Sequence, residues 1–128
     1  MGRKIRMGLV GCGRVAENHI LAAGKCADVE ITAVAGGRKS GELGKRIGAK
    51  VLDVEEICAS SLVDALCILT PPQFHYRYTM EAIKAGKHVL VEKPVSFSVD
   101  EIKEMKWAAE EKGVVCMPGH SYLYLPEL

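Results

Sequence analysis

The stretch IRMGLVGCGRVA, residues 5–16, determines the fold class. Its apolar first half is typical of a buried strand, and its two closely spaced glycines predict a tight turn into a helix. Gly11 permits the turn, Gly13 lets a ligand approach the backbone, and Ala16 lets the helix pack on the strand. The N–H groups and dipole at the start of that helix favour the phosphates of a dinucleotide. The alternative is a chance glycine turn. The cofactor-binding residues that we predict here are Gly11, Gly13, Arg14 and Val15.

Composition restricts the chain to a few classes of protein. Its 128 residues are 48% hydrophobic, which suffices for the core of one compact domain. The formal net charge of +1 provides no bulk field for nucleic acid or a membrane surface, so we expect neither partner. No apolar run reaches the length of a membrane span, and the basic N-terminus leads into a strand instead of a signal peptide.

The cysteines indicate the redox compartment. An odd number without C-x-x-C spacing argues against a disulfide framework and against a zinc site. We therefore expect no metal site and a reducing, cytoplasmic location. The five residues are Cys12, Cys26, Cys58, Cys67 and Cys116.

Short β-rich runs alternate with helical patterns along the chain. This alternation predicts an α/β fold with a doubly wound, mostly parallel sheet and helices on both faces. The ligand crevice of such a sheet lies beyond the carboxyl ends of its strands. Strands are predicted at 5–10, 29–35, 50–52, 65–69, 88–91 and 114–117, and helices at 15–25, 42–47, 54–60, 75–85 and 99–111.

Three boundary signals support the predicted helices. Asp53, followed by Glu56, is an acidic N-cap, and Ser98, followed by Glu101, is a capping box. Gly86 stands where the end of a helix favours a left-handed residue. These signals place helix starts near residues 54 and 99.

The residues after the second strand, Gly36-Gly37-Arg38-Lys39-Ser40, indicate which dinucleotide binds. An NAD-preferring domain usually places an acid here on the adenosine ribose, and none is present. Arg38 and Lys39 instead suit a 2′-phosphate, with the Ser40 hydroxyl adding a hydrogen bond. We therefore predict NADP, with NAD as second choice, and Gly36 as part of the site. The alternative is a solvated basic loop.

The fourth strand leads into Thr70-Pro71-Pro72-Gln73-Phe74-His75. The prolines hold a loop at the crevice, where Thr70 and His75 meet cofactor or substrate. The alternative makes Thr70 a turn residue and His75 a first-turn helix residue, and the sequence does not separate the two interpretations.

The fifth strand ends in Glu92-Lys93-Pro94, the most chemically suggestive group on the chain. A partly desolvated lysine here donates a proton or a hydrogen bond to a reacting oxygen, and Glu92 supplies a counter-charge. The alternative is a surface ion pair after a strand. We predict Lys93 as the catalytic residue because it follows a buried strand of a nucleotide-type sheet.

The glycine turn, Thr70-Pro71-Pro72 with His75, and the segment AGKHVLVEKP at 85–94 together resemble the glucose–fructose oxidoreductase/inositol dehydrogenase family, Gfo/Idh/MocA. The resemblance implies a Rossmann domain over residues 1–118. It also implies that residues 119–128 begin the crossing to a second, substrate-binding α/β domain that this chain does not contain. Leu123 stands where many relatives have arginine.

By that resemblance, the parent protein is an enzyme that transfers hydride between a nicotinamide and a carbon bearing a hydroxyl or carbonyl. Its substrate is a sugar, a polyol or a similar small molecule, and a homo-oligomer is expected. Lys93 contacts the reacting group and the nicotinamide region, Glu92 shapes its turn, and Thr70, Pro71 and His75 line the cofactor channel. The alternative is a non-catalytic NAD(P)-binding sensor or assembly module.

Overall fold

A computed structural model describes residues 2–120 as strands and helices in strict alternation. The strands are β1 (Ile5–Val10), β2 (Val29–Ala35), β3 (Lys50–Leu52), β4 (Ala65–Ile68), β5 (His88–Glu92) and β6 (Cys116–Gly119). The helices are α1 (Arg14–Gly24), α2 (Ser40–Ile47), α3 (Val54–Ala59), α4 (His75–Lys84) and α5 (Val99–Lys112). A 3₁₀ turn at Pro72–Phe74 leads directly into α4. The predicted crossing segment, residues 119–128, lies outside the described residues from position 121 onward.

The strands form a single six-stranded sheet in the order β3-β2-β1-β4-β5-β6. Every pair of neighbours is parallel. The chain builds outward from β1 to β3 and then returns to build the other half from β4, so the order reverses between β1 and β4. This confirms the doubly wound fold, whose ligand crevice lies at that reversal.

Alternate residues of the central strands face opposite sides of the sheet, as the two-residue period of a strand requires. Leu9 and Val34 pack in one apolar cluster with Ala16 of α1. Their chain neighbours Val10 and Ala35 pack in the other cluster, which α3, α4 and α5 cover. Both faces are therefore buried, and this explains the nearly continuous apolar runs in the sequence.

The sixth strand shows the largest difference from the sequence prediction. It was expected at 114–117 and lies at Cys116–Gly119. The reason is the exit from α5, where Gly113 is left-handed and the N–H of Val114 still donates to Ala109 O. Val115 then donates to the ring of His88, so strand pairing begins only afterwards.

The helix caps follow the sequence signals with one exception. Asp53 Oδ1 accepts from the N–H of Glu56 at 2.9 Å, and Gly86 is left-handed after α4, as predicted. Ser98 Oγ accepts from the N–H of Glu101, but the Glu101 carboxylate accepts from Ser96 Oγ. The N–H of Ser98 in turn donates to that same Ser96 hydroxyl, so the reciprocal half of the capping box runs through Ser96.

An ion-pair cluster joins the amino end of β1 to the residue before β4. Asp64 accepts from the guanidinium groups of Arg6 and Arg3 at 2.9 to 3.2 Å, and from the backbone N–H of Arg6 at 2.9 Å. These bonds, those from the Arg6 side chain above all, hold the pKa of the Asp64 carboxyl well below its usual range. The cluster lies at the sheet edge opposite the crevice.

No helix among residues 2–120 has the length and apolar character needed to cross a membrane. No group of three or more histidine, cysteine or acidic side chains within that range is arranged to hold a metal ion. The five cysteines all lie within it and are free thiols.

Candidate dinucleotide-binding site

The glycine turn between β1 and α1 lies at the point where the strand order reverses. Gly11 has a φ of +105°, and its N–H donates to Ala35 O at 2.8 Å. A Cβ at Gly11 would lie 2.7 Å from the carbonyl carbon of Leu69 and 2.9 Å from Thr70 N. The backbone angle and the contact with the turn after β4 both require glycine at this position.

The second glycine of the turn is needed for a different reason. Gly13 has an ordinary extended conformation as the N-cap of α1 and provides no side-chain cap. Apart from its chain neighbours, no atom of residues 2–120 lies within 4 Å of a Cβ added there. Arg14 and Val15, the first residues of the helix, are exposed, and Ala16 is fully buried. The helix start is therefore open and uncapped, as a pyrophosphate site requires.

The turn after β2 lies directly against the glycine turn. Gly36 and Gly37 have φ values of +84° and +85°, and a Cβ on Gly36 would lie 3.4 Å from Gly11 N. Arg38 and Lys39 follow at once and are exposed. The turn that leads into the basic residues predicted to bind the adenosine end of a dinucleotide thus lies next to the predicted phosphate site.

Ser40 and Asp53 also lie at this end of the crevice, after β2 and β3. Ser40 is half-buried, and its hydroxyl donates to Gly37 O at 3.2 Å, which leaves the oxygen available as an acceptor. Asp53 follows β3, but its carboxylate is engaged as the N-cap of α3. From Ala35 to Gly41 the chain carries no carboxylate. The usual acidic ligand of an NAD ribose is absent from the end of β2.

The turns after β4 and β5 are joined by one side chain. His75 is 1% exposed, with Nδ1 2.7 Å from Pro94 O and Nε2 2.8 Å from Thr70 O. Pro71 is exposed between them in sequence. Thr70 Oγ1 is buried and has no hydrogen-bond partner among residues 2–120. A buried hydroxyl without a partner is uncommon and suits a position that a ligand completes.

Glu92 and Lys93 lie where the sequence predicts, at the carboxyl end of β5. Glu92 is half-buried, and Lys93 is exposed and linked to Pro94 by a cis peptide bond. Glu92 Oε2 lies 3.6 Å from Nε2 of His19 on α1. His19 is not among the residues predicted for the site. The sequence signal that could have identified it is its position on α1, the helix that follows the glycine turn.

The two thiols of this region are poor nucleophiles. Burial raises the pKa of Cys12, whose Sγ donates to Ala35 O at 3.6 Å. Burial, with a smaller contribution from Glu92, raises the pKa of Cys67 to about 12. Both remain protonated near neutral pH, and the thiolate is the reactive form. The site therefore offers a carboxylate, an ammonium and backbone donors instead of thiol chemistry.

The residues present fit a dinucleotide. The open space at Gly13, the uncapped start of α1 and the partnerless Thr70 hydroxyl all lie on one edge of the sheet. The structure brings every predicted site residue to this edge, from the turns after β1, β2, β4 and β5. The fold and the site together define a dinucleotide-binding α/β domain.

The chain belongs to the oxidoreductase family GFO_IDH_MocA, and its match to the NAD-binding Rossmann fold of that family covers residues 5–120. The family resemblance predicted from the glycine turn and the Glu-Lys-Pro segment is thereby confirmed. The chain is 36% identical to a 1,5-anhydro-D-fructose reductase of Ensifer adhaerens over 90% of its own length and 36% of that protein's. It is 31% identical to the NADP⁺-dependent scyllo-inositol 2-dehydrogenase IolU of Bacillus subtilis, over 95% of its own length and 38% of that protein's.

Solved structures give the same result. The 3-ketoreductase KijD10 of Actinomadura kijaniata, in complex with NADP and TDP-benzene, superposes with a TM-score of 0.92 at 27% identity. The match covers 98% of this chain and 40% of that one. The WlbA dehydrogenase of Bordetella pertussis, with NADH and UDP-GlcNAcA, has a TM-score of 0.85 at 32% identity, covering 91% of this chain and 35% of that one. The chain thus spans less than half the length of these relatives.

Proposed function

We propose that this chain is the cofactor-binding domain of an oxidoreductase that uses NADP(H) in preference to NAD(H). The observation that carries the preference is the basic turn Gly36–Ser40, which lies against the glycine turn and contains no carboxylate. A carboxylate there would repel a 2′-phosphate, whereas Arg38 and Lys39 attract one. The Ser40 oxygen remains available to accept a bond from a ribose hydroxyl.

Arg38 is the better phosphate ligand of the two basic residues. Its planar guanidinium donates two parallel hydrogen bonds to a phosphate, and Lys39 acts as a point charge. Both are exposed, so neither loses hydration before the cofactor arrives. Gly11, Gly13, Arg14 and Val15 supply the pyrophosphate end, where the open helix start supports backbone N–H donation.

Lys93 is the residue that we assign to acid–base chemistry. When bound, the nicotinamide supplies or accepts the hydride. The Lys93 ammonium donates a hydrogen bond to the reacting oxygen and moves a proton at that atom. Glu92 balances its charge, and Thr70 and Pro71 line the approach to it. Acid–base assistance of this kind contributes about 10²- to 10⁴-fold in rate.

The substrate is a small molecule with a hydroxyl or carbonyl on the reacting carbon, of the sugar or polyol class. The activities of two relatives, a 1,5-anhydro-D-fructose reductase and a scyllo-inositol 2-dehydrogenase, support this class. Substrate contacts beyond Lys93 belong to a second domain, as the greater length of the relatives suggests. We further propose a homo-oligomeric enzyme of a reducing cytoplasm without nucleic-acid or membrane partners, consistent with five free thiols and a near-neutral charge.

Separate titrations of the purified chain with NADPH and NADH test the cofactor proposal. We expect NADPH to bind more tightly. Arg38→Ala removes a charge-assisted phosphate contact worth about 1.5–3 kcal/mol, so it weakens NADPH by about 10- to 150-fold and NADH by little. Lys84→Ala, which removes one positive charge at the opposite edge of the sheet, is the control and leaves both affinities unchanged. Equal losses for the two cofactors in Arg38→Ala, or tighter binding of NADH by the wild type, would refute the phosphate argument.

A further inference from the structure

His75 connects the two turns that carry the predicted nicotinamide-end residues. It is the first residue of α4 and is 1% exposed. Its Nδ1 lies 2.7 Å from Pro94 O and its Nε2 2.8 Å from Thr70 O. One buried ring thus spans the turn after β4 and the turn after β5, which are neighbouring strands.

The composition of these turns explains why a side chain is needed there. Pro71, Pro72 and Pro94 lack the N–H that would otherwise hold one turn to the other. The two carbonyl groups that face the ring, those of Thr70 and Pro94, only accept, so a donor is needed between them. The imidazole supplies it: a neutral ring donates to one of the two carbonyls at a time, and an imidazolium donates to both.

Pro94, whose carbonyl oxygen faces Nδ1 of His75, follows Lys93 directly in the chain. A hydrogen bond to this carbonyl therefore restrains the residue next to Lys93. Because the ring is buried and both of its nitrogens lie against backbone oxygens, it meets the cofactor only through these turns. This differs from the cofactor contact that the sequence analysis assigned to His75, which stays a prediction.

We propose that His75 is a positioning residue that sets the location of Lys93 by holding the Pro94 carbonyl. The inference rests on the proposed function of Lys93. The ring is fixed by its buried place in the first turn of α4, and donation from Nδ1 to Pro94 O sets the position of the turn after β5.

Two conservative variants separate the two hydrogen bonds. The amide nitrogen of asparagine stands as many bonds from Cα as Nδ1 does, so His75→Asn retains the donor towards Pro94 O. The amide nitrogen of glutamine corresponds to Nε2, so His75→Gln retains the donor towards Thr70 O. His75→Phe retains neither, and Lys84→Ala is a control at the far end of α4.

The readout is the NMR signal of Lys93 in the ¹³C-methylated chain, identified by its absence in Lys93→Arg. Signals are recorded without cofactor and during titration with NADPH. We expect His75→Asn to keep the wild-type signal and its response to NADPH. His75→Gln and His75→Phe displace the signal by more than Lys84→Ala does and lose most of the response. NADPH affinity stays within about threefold in Lys84→Ala, because that residue lies at the far end of α4.

The outcomes separate this proposal from the proposed function. A Lys93 signal that is the same in every folded variant overturns the positioning role. Retention by glutamine and loss by asparagine overturns the assignment to the Pro94 bond. If the wild type binds neither nucleotide, the cofactor proposal fails, and the comparison of cofactor-free signals still decides the role of His75. If His75→Phe does not fold, the asparagine and glutamine pair carries the test.

Discussion

Gly13→Ala separates cofactor binding from stability at the glycine turn. The φ and ψ of Gly13, −89° and −156°, are open to any residue. Beyond its chain neighbours, residues 2–120 place no atom within 4 Å of the added methyl group. Loss of glycine freedom in the unfolded chain stabilises by about 0.4–1 kcal/mol, and alanine is a poorer N-cap by a similar amount. We expect the free energy of unfolding to change by less than about 1 kcal/mol.

We expect a large effect on binding, because the methyl group would occupy the space in which we propose that a pyrophosphate approaches the helix start. Losing one charge-assisted hydrogen bond from a backbone N–H costs about 1.5–3 kcal/mol, so the Kd for NADPH rises by about 10- to 150-fold. Fluorescence titration measures the Kd, and urea unfolding measures the stability.

Gly11→Ala is the comparison variant, because its main cost falls on the stability of the fold. A left-handed alanine costs about 1–2 kcal/mol, and contact with the backbone of Leu69 and Thr70 at 2.7 to 2.9 Å costs about 1–3 kcal/mol more. At roughly 4 °C per kcal/mol, the Tm falls by about 8–20 °C. The reasoning is refuted if Gly13→Ala binds NADPH like the wild type, or if it loses as much stability as Gly11→Ala.

Three further predictions concern acid stability, packing and catalysis. The depressed pKa of Asp64 means that its ion pair with Arg6 stabilises above the ordinary carboxyl pKa and is lost as pH falls through the folded value. Urea unfolding at about pH 7 and pH 3 should therefore show the advantage of wild type over Asp64→Asn shrinking in acid; a constant difference contradicts this. Gly44→Ala places a Cβ 2.9 Å from a backbone oxygen and destabilises by about 1–3 kcal/mol. Gly41→Ala in the same helix meets nothing within 4 Å among the described residues and stabilises by about 0.5–1 kcal/mol. A change in Tm of the same sign in both variants would contradict this prediction. Lys93→Ala in the complete enzyme lowers turnover about a hundredfold while NADPH affinity stays within a few-fold, and unchanged turnover removes the acid–base role.

Local signals accounted for most of the architecture. The alternation of β-rich and helical runs predicted all six strands and all five helices of the described residues within a few positions, because each run matches the period of its element. The Asp53 cap and the left-handed Gly86 were read correctly since their geometry depends only on nearby residues. The start of β6 was placed two residues early, because the N–H of Val114 still bonds to the end of α5 and the N–H of Val115 donates to His88, which is distant in the chain.

For the candidate site, too, one part could be predicted from the sequence and another could not. The residue types that follow each strand are visible in the sequence: the glycines after β1, the basic residues after β2, and Glu92 and Lys93 at the end of β5. Parallel strands bring their carboxyl ends to one edge, so the sequence also determined that these residues share that edge. The contacts of each side chain, in contrast, depend on how the elements pack in the folded chain. His75 bridges Thr70 O and Pro94 O, and His19 faces Glu92, through contacts between residues far apart in the chain. The periodicity of a strand or helix predicts on which face of that element a residue lies. The distances between side chains of different elements depend on how the elements pack.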